Sequence, residues 1–102
     1  MARLVVLYRK AADPAAFDNH YVTTHIPLAK AIPGLRRYEV SAGPVTTPGG
    51  PSPYELVALL DFDSVDAIGQ GFATPQGQAA AADLKNFAQA GAELLMFETK
   101  PA

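Results

Sequence analysis

Two segments of this chain are apolar on both of their alternating faces, which restricts the sheets that they can form. Residues 2–9 read Ala-Arg-Leu-Val-Val-Leu-Tyr-Arg, and residues 54–62 read Tyr-Glu-Leu-Val-Ala-Leu-Leu-Asp-Phe. Runs of this length that are rich in aliphatic side chains predict β-strands. Because successive side chains of a strand point to opposite faces, both faces of these two strands need cover. We therefore expect them in the centre of a sheet.

The other predicted elements alternate around these two strands. They are, in chain order, a helix over about residues 14–30, a strand over 35–42, a Pro- and Gly-rich loop over 43–53, two helices over 65–72 and 75–90, and a last strand over 93–98. The order β-α-β-β-α(α)-β is that of the ferredoxin-like split βαβ fold, an α+β architecture. Right-handed crossovers place the first and third strands in the middle of a four-stranded antiparallel sheet. Residues 1–102 are predicted to form a single domain.

Helices in this topology cover only one face of the sheet. The two central strands carry apolar side chains on both faces, Leu4, Val6, Tyr8, Leu56, Ala58 and Leu60 on one and Val5, Leu7, Val57 and Leu59 on the other, so one of these two sets is left uncovered. Monomeric proteins seldom expose an apolar patch of that size. We therefore expect a homodimer in which two copies pack sheet to sheet about a twofold axis.

Composition excludes several classes of partner and site. The formal net charge is −2, and no basic cluster exceeds the pairs Arg9-Lys10 and Arg36-Arg37, which argues against nucleic acid and anionic membranes. The absence of cysteine excludes disulfides and cysteine-ligated metals, and it fits a reducing compartment. The apolar runs are too short for a signal peptide or a membrane span. These observations predict a cytoplasmic protein.

The candidate chemistry depends on one histidine of the first helix. On an α-helical wheel, Phe17, Tyr21, His25 and Leu28 lie on one apolar arc. His25 therefore points inward, one turn after Tyr21 and in the last turn before Pro27 ends the helix. An inward histidine is either a core side chain with a backbone partner or a general acid–base group whose ordinary pKa lies near neutrality. The wheel leaves both interpretations open.

The wheel offers His25 no helper on its own helix. His20 precedes it by five residues, about 140° away around an α-helix, and is predicted to face solvent. The two histidines are therefore not expected to share a metal ion, and no metal site is predicted. Asp18 lies about 10 Å along the axis, too far to orient the imidazole.

Three stretches together resemble the EthD-type family of the dimeric α+β barrel superfamily. The first is Tyr21-x-x-x-His25-x-Pro27-Leu28 followed by residues 32–40, the second is Phe72-Ala-Thr-Pro-Gln-Gly77 with the alanine-rich stretch to Leu84, and the third is Phe87 with residues 93–98. The family is named after an ethyl tert-butyl ether degradation cluster. The resemblance implies a subunit that dimerises through its sheet and holds a pocket between sheet and helices.

The resemblance also implies what such a pocket does. Its ligand would be a small apolar or aromatic carbonyl compound, with His25 and Tyr21 as catalytic candidates and Phe17, Leu28 and Tyr8 as ligand-binding candidates. No cofactor is expected, so the chemistry would be isomerisation, cyclisation, dehydration, decarboxylation, or oxygenation in which the substrate carbanion reduces O₂. The alternatives are a non-catalytic carrier of a hydrophobic metabolite in an oxidative pathway and a purely structural dimer.

Overall fold

In the computed structural model, which describes residues 1–102, four antiparallel strands form one sheet: β1 (Ala2–Arg9), β2 (Arg37–Val40), β3 (Tyr54–Phe62) and β4 (Ala92–Glu98). Their order in the sheet is β2-β3-β1-β4. The two doubly apolar strands, β1 and β3, occupy the centre, and the predicted α+β fold is confirmed. The region 43–53, predicted as a loop, contains a small hairpin of Thr46–Thr47 and Gly50–Pro51.

Helical segments cover one face of this sheet. They are α1 (Pro14–His20), a π-helical turn (Tyr21–His25), α2 (Ile26–Lys30), α3 (Val65–Ala73) and α4 (Pro75–Phe87). The side chains of Asp13, Ser64 and Thr74 cap the starts of α1, α3 and α4 by accepting backbone N–H bonds. The last helix ends at Phe87, earlier than the predicted residue 90.

The first helical segment departs from a regular α-helix at Tyr21–His25. The Ile26 N–H donates to the Tyr21 carbonyl, the five-residue spacing of a π turn. Proline at position 27 explains this widening, because it has no N–H to offer the Thr23 carbonyl and its ring crowds that oxygen. The predicted helical range of about 14–30 is therefore confirmed, whereas the prediction that Pro27 ends the helix was wrong. The helix is wider over the single turn Tyr21–His25 and then continues as α2 through Lys30.

The two faces of the sheet differ in burial. Side chains facing the helices, such as Leu4, Tyr8, Leu60 and Phe62, are almost completely buried. The opposite surface, here called the open sheet face, carries these apolar side chains: Val5, Leu7, Val57, Leu59, Leu95 and Phe97. All six are partly or substantially exposed. Ion pairs border this face: Arg3 with Asp61, Arg9 with Glu93, and Arg37 with Glu39.

The junction of α3 and α4 depends on a close backbone approach at Gly77. A Cβ at this position would lie 2.2 Å from the Gly71 carbonyl oxygen and 2.4 Å from Phe72 Cα. We expect Gly77→Ala to lower the free energy of unfolding by about 2–3 kcal/mol, because the backbone has to shift. The matched control is Gly69→Ala in α3, where a Cβ meets nothing, and which should raise stability by about 0.5–1 kcal/mol. Urea unfolding of both variants tests the prediction, and equal effects would contradict it.

Candidate active site

A narrow cavity lies between the helix-facing side of the sheet and the helices. It has a volume of about 30 Å³, which is room for about two water molecules. Of its 15 lining residues, 14 are hydrophobic, and His25 is the exception. Tyr8 of β1, Tyr21 of the π turn and Tyr38 of β2 line the same space. An imidazole and three phenols thus face an otherwise apolar interior.

The predicted site residues fall into two groups. His25, Tyr21 and Tyr8 come together at the wall of this cavity. Phe17 does not line it; its ring is buried in the core, stacked on Tyr21 at a centroid distance of 6.0 Å. Leu28 also does not line it, and its half-buried side chain packs against the core. Phe17 and Leu28 therefore shape the surroundings of the cavity.

His25 has a buried carboxylate as its partner. Its Nδ1 lies 3.0 Å from Oδ2 of Asp83, and the two side chains are 7% and 5% exposed. Asp83 lies on α4, and it also receives a hydrogen bond of 3.0 Å from the Asn86 side-chain amide. When His25 donates its Nδ1–H to this carboxylate, the lone pair of its other ring nitrogen, Nε2, is directed away from Asp83. A His–Asp pair of this kind fixes the tautomer of the imidazole.

Burial and hydrogen bonding determine the charges of this pair. Burial lowers the pKa of His25 below its ordinary value, although the hydrogen bond and charge of Asp83 act in the opposite direction. Burial alone would raise the pKa of Asp83, but hydrogen bonds from Asn86, His20 and His25 lower it overall. At neutral pH the pair therefore consists of a neutral imidazole and a carboxylate. A neutral imidazole is the form that can accept a proton.

The three tyrosines supply hydroxyl donors beside the imidazole. The Tyr8 hydroxyl lies 3.4 Å from His25 Nε2 and can donate to it. The hydroxyls of Tyr21 and Tyr38 form a short hydrogen bond with each other. Burial raises the pKa of all three phenols, so they remain protonated at neutral pH. Neutral phenols can donate hydrogen bonds to a carbonyl or to a developing oxyanion.

His20 was predicted to face solvent, but it packs against Asp83 instead. Its Nε2 lies 2.9 Å from Oδ1 and 3.0 Å from Oδ2 of Asp83, and its side chain is 29% exposed. The π turn is the physical reason, because its five-residue spacing aligns positions 20 and 25 that an α-helix would separate by about 140°. Both rings also contact Phe87, with centroid distances of 5.0 Å for His20 and 4.7 Å for His25.

Asp83 is the site residue that the sequence analysis missed. Asp83 follows the alanine tract of α4, and it lies within one of the stretches that resemble the EthD-type family, but no role is predicted for it from the sequence. A signal was present, since Ala80, Asp83 and Phe87 have the i, i+3, i+7 spacing of a buried helical face. An acidic residue at such a position requires buried donors. The two histidines and Asn86 are those donors.

No group of three or more His, Cys, Asp or Glu side chains is arranged to hold a metal ion. Both nitrogens that approach Asp83 are already engaged in hydrogen bonds to it. No helix of the chain combines the length and the apolar character that crossing a membrane requires.

The residues around the cavity can perform two chemical tasks. His25 can accept a proton, and the phenols can donate hydrogen bonds.

Comparisons with known proteins agree with this architecture. Residues 9–91 match the EthD domain. An uncharacterized 11.0 kDa protein in the thcB-thcC intergenic region of Rhodococcus erythropolis is 44% identical over 95 residues, 93% of this chain and 91% of that protein. A crystal structure of an ethyl tert-butyl ether d (EthD) family protein from Bacillus halodurans has a TM-score of 0.89 and 34% identity, covering 98% of this chain and 99% of the other. A dimeric ferredoxin-like protein of unknown function from Thermobifida fusca shares the fold, with a TM-score of 0.71, 22% identity, and coverage of 96% and 90%.

Proposed function

Because this chain belongs to the EthD family, we propose that it binds a small apolar or aromatic carbonyl compound and moves a proton with His25. The observation that carries the proposal is the bond between His25 Nδ1 and Asp83 at the wall of an apolar cavity. That bond orients the imidazole and leaves Nε2 as the base. The lining favours a ligand that is mostly hydrocarbon with one polar group.

The proposed step is removal of a proton from the carbon next to the carbonyl. His25 Nε2 accepts this proton, and the resulting imidazolium is stabilised by the Asp83 carboxylate 3.0 Å from Nδ1. The electron pair of the broken C–H bond forms an enolate, whose oxygen accepts a hydrogen bond from Tyr21, or from Tyr8 once the Tyr8 hydroxyl has turned from His25 Nε2 to the ligand. Return of the proton to a different atom completes an isomerisation. In a cyclisation, the enolate carbon attacks a second carbonyl, whose π electrons move to its oxygen, and the His25 imidazolium returns the proton to the resulting alkoxide.

The cavity has to widen to admit such a ligand. Its volume of about 30 Å³ is far below that of an aromatic ring. The lining residues with some exposure include Phe72 and Leu84, which are half-buried, and Leu94, which is 46% exposed. These side chains have solvent on one side and can rotate outward at lower cost than the buried ones. We assign the entrance to this side of the cavity.

A second copy of the chain is the partner we propose for the open sheet face. The centre of this face is apolar and its border carries three ion pairs, which is the usual anatomy of a protein–protein interface. Packing two such faces together removes the apolar side chains from water. The proposed assembly is therefore a sheet-to-sheet homodimer with one cavity in each subunit.

The test of the catalytic proposal is exchange of carbon-bound hydrogen in D₂O. We expect the protein to speed deuterium incorporation next to the carbonyl of a small aryl-fused ketone, 2-tetralone, as followed by NMR. His25→Gln retains a hydrogen-bond donor for Asp83 but has no basic nitrogen, so it should lose about 100-fold or more of this rate. Exchange that is equal in both proteins would overturn the role of His25.

The carrier alternative predicts a different result in the same experiment. The variant and the original protein would then bind 2-tetralone equally well, as measured by chemical-shift changes of cavity residues, and neither would speed the exchange. Absence of binding to a series of such ketones would favour the structural alternative. A matched control is Thr24→Gln, which introduces the same side chain at an exposed position of the same π turn and leaves both histidines in place.

A further inference from the structure

One carboxylate serves both histidines of this chain. Asp83 lies within 3.0 Å of His20 Nε2 and also of His25 Nδ1. Its side chain is 5% exposed, so water does little to screen the charges around it. A single carboxylate neutralises one imidazolium. A second imidazolium beside it would be a positive charge without a counter-charge. The two rings therefore compete for one negative charge.

The two rings differ in their access to water. His20 lines a surface groove of about 550 Å³, together with Phe17 and Asn86. Its side chain is 29% exposed, whereas that of His25 is 7% exposed. Hydration stabilises a cation, so burial disfavours the charged form of His25 more strongly. The ring of His20 is therefore the better hydrated of the two.

We propose that His20 is a positioning residue for the base: a positive charge on His20, beside the carboxylate that both rings share, disfavours a second positive charge on His25 and so favours its neutral form. The inference rests on the proposed function, in which neutral His25 accepts the proton. His20 does not line the cavity and acts only through the shared carboxylate. Its effect is to extend the working range of the base toward lower pH.

No other charged group on the elements around the two rings replaces this effect. The remaining titratable side chains that line the cavity or the groove are Tyr8, Tyr21, Tyr38 and Asp13, while Asp18 of α1 and Lys85 of α4 are exposed on the surfaces of their helices. The phenols stay neutral because burial raises the pKa of each one. The Asp13 carboxylate accepts the Ala16 N–H at the start of α1, away from the shared carboxylate. Asn86 donates to Asp83 but carries no charge.

The first test is His20→Phe with a pH titration followed by NMR. Phenylalanine can keep the stacked contact with Phe87, where the rings are 5.0 Å apart and 17° from parallel, and it removes the charge. Because the chain has only two histidines, the single imidazole left belongs to His25. We expect the pKa of His25 to rise by about 0.5–1. The acidic limb of any reaction that depends on His25 should move upward by the same amount.

His20→Gln is the second variant, and it keeps the proposal testable if the phenylalanine variant does not fold. Glutamine can donate a hydrogen bond to Asp83 without a charge, so it should also raise the pKa of His25. A purely structural role for His20 would leave this pKa unchanged or lower it, and either result in the folded variants would overturn the proposal. The titration contains no ligand, so its outcome is separate from success or failure of the exchange experiment.

Discussion

Replacing Asp83 by alanine is expected to lower the free energy of unfolding by about 3–5 kcal/mol at neutral pH. The change removes the acceptor of side-chain hydrogen bonds from His20, His25 and Asn86. It leaves the Nδ1–H of a side chain that is 7% exposed without a partner in the apolar interior. Urea unfolding followed by circular dichroism measures the loss. The matched control is Asp18→Ala, an exposed aspartate of α1, with an expected change within about 0.5 kcal/mol.

The same variant has a characteristic dependence on pH. The pKa of Asp83 is lowered in the folded protein, because the three donors outweigh the effect of its burial. The stability that comes from this carboxylate is therefore present above the pKa of an unfolded aspartate, about 3.9, and is lost as the pH falls through the lower folded value. The difference in free energy of unfolding between Asp83→Ala and the original protein should become smaller in strong acid. A difference that stays constant down to about pH 2 would argue against an ionised Asp83.

Val5→Glu is expected to separate the proposed dimer into monomers that remain folded. Val5 lies in the middle of the open sheet face, opposite Leu59 on one neighbouring strand and Leu95 on the other. A glutamate there is hydrated in a monomer, but it would be buried without a cationic partner between two packed sheets. We expect the dissociation constant to rise by about 100-fold or more, equivalent to about 3 kcal/mol. Sedimentation equilibrium should show the mass falling from twice that of the chain to that of one chain.

Val22→Glu provides the control for this experiment. Val22 belongs to the π turn and is 63% exposed, so the same substitution there adds a hydrated charge away from the sheet. Its sedimentation should be that of the unmodified protein. If Val5→Glu remains dimeric while circular dichroism shows an intact fold, the interface lies on another surface of the molecule.

The fold could be predicted because its determinants are local and repeated. Aliphatic side chains on both faces of β1 and β3 predicted their central place, and the structure confirms it. The helix starts are also locally determined, because the side chains of Asp13, Ser64 and Thr74 each accept a backbone N–H that would otherwise lack a partner. The exposure of the open sheet face follows from the same alternation.

The site was only partly predictable, since its main contact joins residues 58 positions apart in the chain. The inward direction of His25 followed from the apolar arc, but its partner Asp83 belongs to a helix that the wheel of the first segment cannot represent. The position of His20 was predicted wrongly because the wheel assumed 3.6 residues per turn throughout. Pro27 indicated a break in hydrogen bonding, and this pattern does not distinguish a helix that ends from one that widens.

The π turn at Tyr21–His25 has a consequence for how this site is encoded. A π turn closes its hydrogen bond over five residues, whereas an α-helical turn closes it over four. It is therefore equivalent to the insertion of one residue into an α-helix. Shortening this segment by one residue would rotate everything before it by about 100° relative to everything after it, and the two imidazoles would part without any change in their identity. The length of the segment between His20 and His25 is therefore as much a part of the site as the side chains themselves.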